Sequence, residues 1–227
     1  MSDTFALDTP PVEGAVEHLH ALIVAVHDLH INSRVLKQAA TLHEAGYRVT
    51  LLGIVRSVGD LQEEQRPFGR ILRVKTTEHL HTERVAAQKT HVERPEAAPT
   101  RLAISPIRNF LGRMRENVFL AREIIRECPN VVISHDLSAL PAAWYAGKRL
   151  HMPVVYDMID IVTTPDSGRG RLLTGLWRIT ERYLIRRVSA VVCVSPRSAS
   201  WVEAERCTTR PISVVYNGPY ECMQTPG

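Results

Sequence analysis

The segment Ala21-Leu-Ile-Val-Ala-Val26 begins the stretch of sequence that decides the fold. It is short, apolar at every position and rich in branched side chains, which predicts a parallel strand covered on both faces. Asn32 or Ser33 then caps a segment with apolar residues at helical spacing, and Gly46 ends that segment. Tyr47-Arg-Val-Thr-Leu-Leu52 predicts a second strand, so strand, helix and strand form a βαβ unit within about 30 residues.

The same alternation of strands and helices continues along the chain. Short apolar segments predict strands at 71–74, 131–133, 154–156, 190–194 and 212–216, and helical periodicity predicts helices at 107–127, 137–149, 171–187 and 197–206. This pattern predicts an α/β, Rossmann-like domain whose mainly parallel sheet is flanked by helices on both faces. We expect this domain to span residues 19–220, with a flexible leader at 1–18 and a tail at 221–227.

Composition and sequence motifs exclude several classes of protein. A hydrophobic content of 44% and a charged content of 23% in 227 residues are typical of a globular chain, and the longest apolar run, at 21–26, is far too short to span a membrane. The four cysteines are widely spaced, which argues against a zinc site or a disulfide framework. The first strand is followed by neither a G-x-G-x-x-G motif nor a Walker lysine loop, which excludes dinucleotide-dependent oxidoreductases and P-loop enzymes.

Polar side chains follow several of the predicted strands, at the edge of the sheet where ligands bind in folds of this kind. They are His27, Asn32 and Arg34 after the first strand, His135 and Asp136 after the strand at 131–133, and Asp157 and Asp160 after the strand at 154–156. This grouping fits either a binding site or the ordinary polarity of loops. The last two aspartates likewise fit either an acid and base pair or one capping or turn-forming carboxylate with a solvated neighbour.

Other polar motifs have simpler explanations. The histidine pairs His18/His20 and His79/His81 lie on polar segments without a third ligand, so we expect solvated loop histidines and no metal. Ser195 lacks the surrounding G-x-S-x-G of a hydrolase nucleophile, which favours a role as the cap of the next helix.

Four stretches of the chain resemble one known family. They are Asn32-Ser-Arg-Val-Leu-Lys-Gln-Ala39 with Ala45-Gly-Tyr-Arg-Val-Thr50, Val131-Val-Ile-Ser-His-Asp-Leu-Ser-Ala-Leu-Pro-Ala-Ala143, Pro153-Val-Val-Tyr-Asp157 with Asp160, and 181–196 with Val214-Val-Tyr-Asn-Gly-Pro219. Together they resemble the N-terminal domain of the family 4 retaining glycosyltransferases, which have the GT-B architecture. The resemblance covers residues 21–219, although 56–125 contribute little to it.

The resemblance implies the acceptor-binding half of an enzyme that transfers a sugar from a nucleotide-sugar donor to a hydroxyl acceptor, in glycan or glycolipid synthesis. In that family a C-terminal domain grips the nucleotide sugar. We therefore expect the tail to lead to an absent donor domain, or the donor to be bound by a partner subunit, and the chain alone to be inactive. No cofactor or metal is implied. A noncatalytic binding or assembly subunit with the same fold stays open as the alternative.

The resemblance also assigns roles to the candidate residues. His135 falls where the family carries a histidine near the reacting sugar, which implies a hydrogen bond in the transition state. Asp136 would orient His135 or an acceptor hydroxyl. The acceptor pocket would be lined by His27, Asn32, Asp157 and Asp160. A phosphate would be contacted by the planar guanidinium of Arg34.

Two basic segments indicate where such an enzyme would work. Arginines outnumber acidic residues at 101–127 and at 166–187, and the first segment also carries an apolar stripe. A basic amphipathic helix can lie on an anionic membrane, which suits a cytoplasmic enzyme at the inner face of the membrane that acts on a lipid-linked acceptor. The alternative is a helix that packs its stripe on the sheet and leaves its arginines in solvent. Nucleic acid is not expected as the partner of the net charge of +4, because no recognised binding motif is present.

Overall fold

A computed structural model of the chain describes residues 19–26, 33–55, 60–76, 106–161, 171–206 and 208–217. The predicted leader at 1–18 and tail at 221–227 lie outside the described residues, as do His18 and the pair His79/His81. The strands are β1 His20–Ala25, β2 Arg48–Ile54, β3 Glu63–Arg66, β4 Gly69–Val74, β5 Val131–His135, β6 Val154–Met158, β7 Ala190–Cys193 and β8 Ile212–Val214. The helices are α1 Ser33–Glu44, α2 Pro106–Glu127, α3 Leu140–Leu150, α4 Arg171–Leu184 and α5 Pro196–Arg206.

The strands form one sheet in the order β3-β4-β2-β1-β5-β6-β7-β8. Every neighbouring pair is parallel except β3 and β4, which form an antiparallel pair at one edge. The strand β1 lies between β2 and β5, where Ile23 is in register with both Leu51 and Ile133. Because both its edges and both its faces are covered, every residue of β1 is buried, and the uniformly apolar segment 21–25 predicts this for all but the first residue, His20.

Helices cover both faces of this sheet. On one face Val35 and Ala39 of α1 form a buried cluster with the odd-numbered positions of β1, such as Ile23. On the other face α2, α3, α4 and α5 contribute to a larger cluster that includes Trp177. The ring of Trp177 meets Phe110 of α2 edge to face, with centroids 5.2 Å apart. The predicted α/β class, with a mainly parallel sheet and helices on both faces, is therefore confirmed.

The hairpin of β3 and β4 is an element that the sequence analysis predicted only in part. It predicted a strand at 71–74, whereas the structure starts β4 at Gly69 and pairs it with Glu63–Arg66. The strand β3 contains no apolar residue, so hydrophobic periodicity gives no signal for it, and charged edge strands of this kind also resist pairing with other chains. Gly69 has a φ of 139°, and a Cβ there would lie 2.2 Å from the Val49 carbonyl oxygen, so the turn requires glycine.

Two predicted helix signals act as expected. Gly46 has a φ of 86° and lies just beyond α1, as a C-terminal cap does. Ser195 precedes α5, and its Oγ accepts a hydrogen bond from the Ser198 backbone N–H at 3.2 Å. The Ser198 hydroxyl in turn lies 3.1 Å from the Ser195 backbone nitrogen, which donates to it. These reciprocal contacts form a capping box with serine in the place usually held by glutamate or glutamine.

A buried carboxylate joins three elements on the larger helical face. Glu181 of α4 accepts a hydrogen bond from the Tyr156 hydroxyl at 3.0 Å and two from Arg206, at 2.9 and 2.6 Å. All three side chains are almost completely buried. Burial and the neighbouring Glu181 carboxylate hold the pKa of the Tyr156 hydroxyl well above its ordinary value, so it stays a donor. The contacts fix α4 and α5 against β6.

The structure corrects the expectation for His20, which the sequence analysis placed in a solvated loop. His20 is the first residue of β1 and is buried, with its Nε2 atom 2.9 Å from the Thr50 hydroxyl. Arg48 donates a hydrogen bond to its Nδ1 atom at 2.9 Å, and a guanidinium has no lone pair to offer in return. The neutral ring therefore carries its proton on Nε2. Burial, together with the charges of Arg48 and Arg70, lowers the pKa of His20 to about 4.

This lowered pKa predicts a loss of stability in mild acid. As the pH falls from the ordinary value of 6.5 towards about 4, the unfolded chain takes up the His20 proton and the folded chain does not. The stability that neutral His20 contributes is thus present above that window and lost within it, by about 2 kcal/mol between pH 7 and pH 5. Urea unfolding at both pH values measures it. The His20→Gln variant should lack this part of the change, and an equal loss in the variant would contradict the assignment.

Candidate functional site

Three of the predicted site residues meet at the carboxyl ends of β5 and β6. His135 is the last residue of β5 and lies in register with Asp157 of the neighbouring strand β6. Side chains alternate between the faces of a sheet, so both point to the face on which Ile133 packs with α1. The first turn of α1 brings Arg34 to the same place. The carboxyl edge that the sequence analysis predicts as the ligand edge therefore holds a cluster of charged side chains.

Asp157 is the centre of this cluster. Arg34 grips its carboxylate with two hydrogen bonds, from Nε to Oδ2 at 3.0 Å and from Nη2 to Oδ1 at 2.7 Å. The Gln38 amide nitrogen donates to Oδ2 at 3.0 Å, and the His135 Nδ1 atom lies 3.1 Å from the same oxygen. Gln38 is four residues after Arg34, which places both side chains on one face of α1.

Burial determines the electrostatics of the cluster. His135 and Asp157 have exposed fractions of 0%, and that of Arg34 is 6%. Burial alone would raise the pKa of the Asp157 carboxyl, but hydrogen bonds from His135 and Arg34 and the positive charge of Arg34 outweigh it and hold the pKa below its ordinary value. The carboxylate is ionised and can only accept hydrogen bonds, so His135 carries a proton on Nδ1.

Arg34 extends the cluster to the far end of the chain. Its Nη1 atom donates to the Val215 carbonyl oxygen at 3.3 Å, and Val215 follows β8 directly. The Oε1 atom of Gln38 is buried and has no hydrogen-bond partner among the described residues. The cluster thus fixes α1 against β5, β6 and the segment after β8, and it includes one buried acceptor that can still receive a hydrogen bond.

Asp136 forms the turn that leaves β5. Its φ is 77°, a left-handed conformation that aspartate tolerates better than most residues. Its carboxylate accepts hydrogen bonds from the Leu137 backbone N–H at 2.5 Å and the Ser138 hydroxyl at 3.2 Å. Its own backbone N–H donates to the Asp157 carbonyl oxygen at 3.1 Å. Asp136 therefore shapes the edge of the sheet beside His135.

The predicted site residues fall into three groups. His135, Asp157 and Arg34 form one network, and Asp136 lies next to it. Asp160 is exposed, three residues beyond Asp157, and His27 and Asn32 lie outside the described residues. Of the two aspartates, Asp157 lies within a buried strand and its oxygens have three side-chain partners, whereas Asp160 is exposed.

Two contacts differ from what the resemblance implies. Arg34 was assigned to a phosphate, whereas its fork is engaged by the Asp157 carboxylate. Asp136 was assigned to orient His135 or an acceptor hydroxyl, and the carboxylate that bonds the His135 ring is that of Asp157. The sequence analysis also missed Gln38, although its spacing of four residues from Arg34 was a usable signal. Among residues 33–55, 106–161 and the other described segments, no group of three His, Cys, Asp or Glu side chains is placed to hold a metal ion.

The fold is similar to that of several solved glycosyltransferases. Sucrose-phosphate synthase from Thermosynechococcus elongatus matches with a TM-score of 0.64 and 11% identity, over 88% of this chain and 48% of that chain. UGT2 of Phytolacca americana, complexed with UDP-2-fluoro-glucose and pterostilbene, matches with a TM-score of 0.59 and 8% identity, over 92% and 56%. Anabaena HepE, in complex with UDP and glucose, matches with a TM-score of 0.51 and 13% identity, over 89% and 45%. The chain thus spans about half the length of each of these three enzymes.

The family model of the glycosyl transferase 4-like domain matches residues 31–218. The chain therefore belongs to the glycosyl transferase 4-like domain family, and its Rossmann-like sheet is that of a GT-B glycosyltransferase domain. A comparison with curated proteins found no match.

The buried pair predicts a clear order of stabilities among variants. Replacing one partner, as in Arg34→Met, leaves the Asp157 carboxylate buried without its main counter-charge and should cost about 3 to 5 kcal/mol of unfolding free energy. The double variant with Asp157→Leu removes both charges and should be more stable than the single variant. Urea unfolding measures both.

A matched control is the exposed pair of Arg126 with Glu123, in which the arginine side chain is 74% exposed. Arg126→Met should cost less than about 1 kcal/mol. If Arg34→Met lowered the free energy of unfolding no more than this control does, the pair of Arg34 and Asp157 would not stabilise the fold.

Proposed function

We propose that this chain is the acceptor-binding half of a retaining glycosyltransferase, which moves a sugar from a nucleotide-sugar donor to a hydroxyl acceptor. The observation that carries the proposal is the network of His135, Asp157 and Arg34 at the carboxyl edge of a sheet from the glycosyl transferase 4-like family. Ligands of open α/β sheets bind outside this edge. A charged network there, in a family of transferases, supports a site that handles the reacting sugar.

The chemistry assigned to these residues is positioning and stabilisation of charge. Retaining transfer of this kind needs no dedicated base, because the leaving phosphate takes the proton of the acceptor hydroxyl. Asp157 holds the His135 ring in one orientation and one tautomer through the bond to Nδ1. His135 then hydrogen-bonds the sugar or the acceptor in the transition state. Because its ring is fully buried, this contact requires a local rearrangement when substrate binds.

The remaining predicted residues complete this acceptor site. Asp160 is exposed beside the carboxyl end of β6, where its carboxylate is available to sugar hydroxyls. We assign His27 and Asn32, which follow β1 in the sequence, to the same pocket. Arg34 remains the cation of the site. Because it forms an ion pair with Asp157, the charge that an approaching phosphate meets depends on both side chains.

The donor would be held by a second domain or a partner subunit. HepE and UGT2 are described in complex with UDP or a UDP-sugar, and this chain spans about half of each of them. We therefore assign nucleotide-sugar binding mainly to the other half and expect the isolated chain to show no turnover. No metal or other cofactor is part of this proposal. Robust transfer by the isolated chain would overturn the half-enzyme assignment.

A noncatalytic subunit that keeps the transferase fold is the second candidate. The complete burial of His135 and Asp157 favours it, because side chains without exposed surface can serve stability alone. In that case the network would fix α1 on the sheet for the benefit of a partner subunit.

Substitutions of His135 separate the two candidates. The assay is sugar transfer by the chain combined with its donor domain or with a protein encoded next to it. His135→Ala should lower the transfer rate by about 10² to 10³ if the ring stabilises the transition state. His135→Asn keeps a donor for Asp157 but lacks the second ring nitrogen, so a chemical role predicts that it is equally inactive.

The control for this experiment is His43→Ala, because His43 is exposed at the last turn of α1. Thermal melts of all variants show whether the fold is intact. Full activity in His135→Asn, or no loss in a folded His135→Ala, would support the noncatalytic or purely structural role.

We further propose that α2 attaches the protein to an anionic membrane surface at the inner face of the membrane, near a lipid-linked acceptor. One exposed stripe along this helix alternates basic and apolar residues at spacings of three and four, namely Arg108, Leu111, Arg115, Val118 and Arg122. Leu111 and Val118 are 52% and 50% exposed although α2 already packs its other face on the sheet. No described helix is long and apolar enough to cross a bilayer.

Vesicle sedimentation tests this attachment. Binding should increase with the anionic lipid content and weaken with salt, and the triple reversal of Arg108, Arg115 and Arg122 to glutamate should lower it at least about 100-fold. Arg113 is not part of the stripe, because it is half-buried and bonds Glu116 at 2.8 Å. A charge-matched control reverses Arg149, Arg178 and Arg197, which are exposed elsewhere. Binding that is indifferent to salt and to the stripe variant would exclude this contact.

A further inference from the structure

A concave site lies at the amino ends of the strands, opposite the end that carries His135. It is an open groove of about 460 Å³. Val154 begins β6, Ser189 directly precedes β7, and Arg210 precedes β8 by two residues, and all three line the groove. Because these strands are parallel, the groove is at their amino ends, whereas the His135 cluster is at their carboxyl ends.

The charge of the groove is positive and is not compensated within it. Lys148, Arg187 and Arg210 line it, and no aspartate or glutamate does. In the described part of the chain none of these three cations forms an ion pair with a carboxylate. Their recorded contacts are with neutral groups. Arg187 donates to the Tyr183 carbonyl oxygen at 2.7 Å, and Arg210 donates to the Arg186 carbonyl oxygen at 3.2 Å.

Aromatic rings hold two of the cations in place. The Lys148 ammonium lies 5.6 Å from the centroid of the Trp144 ring, and the Arg187 guanidinium carbon lies 3.6 Å from that of Tyr183. The two rings contact each other edge to face, with centroids 5.8 Å apart. Two of the three cations are therefore partly ordered before any anion arrives, which lowers the entropy lost on binding.

One residue that lines the groove, Gly147, has to be glycine. A Cβ at Gly147 would lie 2.3 Å from the Val154 Cγ2 atom, so only glycine allows α3 to approach β6 so closely. This close contact sets the distance between the end of α3, with Lys148, and the start of β7 and β8. The groove is thus formed by the fixed packing of helix on sheet.

We propose that this groove binds the phosphate or diphosphate group of a soluble, phosphorylated small molecule, at a site separate from the transferase site. Two guanidinium groups and an ammonium group converge on one concavity, and a guanidinium fork matches the geometry of phosphate oxygens. The volume is that of a small-molecule site. The proposal does not depend on the proposed transferase function, because the two sites occupy opposite edges of the sheet.

Calorimetric titration of the full chain with inorganic pyrophosphate at low salt tests the proposal. We expect saturable binding of one pyrophosphate per chain, weakened by added salt. Lys148→Ala, Arg187→Ala and Arg210→Ala should each weaken it about tenfold or more, because each removes a charge-assisted contact. Arg187→Lys keeps the charge but loses the fork, and should fall between wild type and Arg187→Ala.

Two controls make the outcome decisive. Arg182→Ala removes an exposed cation from the same helix as Tyr183 without touching the groove, and should bind pyrophosphate as wild type does. His135→Asn should also bind normally, which would place the anion away from the transferase site. Equal weakening by Arg182→Ala, loss of binding in His135→Asn, or binding that the three groove variants leave unchanged would each overturn the proposal. So would binding only to vesicles that contain phosphatidic acid, since the ligand would then be a membrane surface.

Discussion

The bidentate pair of Arg34 and Asp157 is the interaction on which the carboxyl edge of this sheet depends. A carboxylate without exposed surface is tolerated only when its oxygens are bonded and its charge is balanced, and here Arg34, Gln38 and His135 do both. Since these partners come from α1 and β5, the requirement fixes the helix against the centre of the sheet. The same guanidinium reaches the Val215 carbonyl, so the segment after β8 is held by the same charge.

A second buried carboxylate, Glu181, lies on the other face of the sheet, and its oxygens are likewise bonded and its charge balanced. Its partners are a tyrosine hydroxyl and an arginine, Tyr156 and Arg206, and the pKa of the tyrosine lies well above its ordinary value, so its hydroxyl keeps its proton and remains the donor. It joins helices to a strand. The Asp157 network includes an imidazole and lies at the edge where ligands bind in such sheets. Burial of charge thus joins helices to a strand at Glu181, whereas at Asp157 it also fixes the orientation of the His135 ring.

The helix α3 runs from the carboxyl ends of the strands, where the His135 cluster lies, to their amino ends, where the groove lies. It starts just after the Asp136 turn, beside the His135 cluster, and its last turns carry Gly147 and Lys148 of the groove, about 12 Å from its first residue at the usual rise per residue. Its packing on β6 is tight at Gly147, so both ends are placed by one rigid element. The His135 cluster and the groove therefore lie at the two ends of the same helix and of the same strand, β6.

The sequence by itself determined the elements and their class. The local signals are the apolar segment 21–26, the helical spacing after Ser33, the glycine at position 46 after α1 and the Ser195 cap. Each of them predicts its element correctly. Only the tertiary structure decided which polar side chains meet. The charged strand β3, the burial of His20, and the pairing of Asp157 with Arg34, 123 residues apart, depend on strand order and on register. Hydrophobic periodicity indicates which face of an element is buried. Which charged side chains pair depends on the distance between them in the folded chain, and strand order and register set that distance only when the sheet forms.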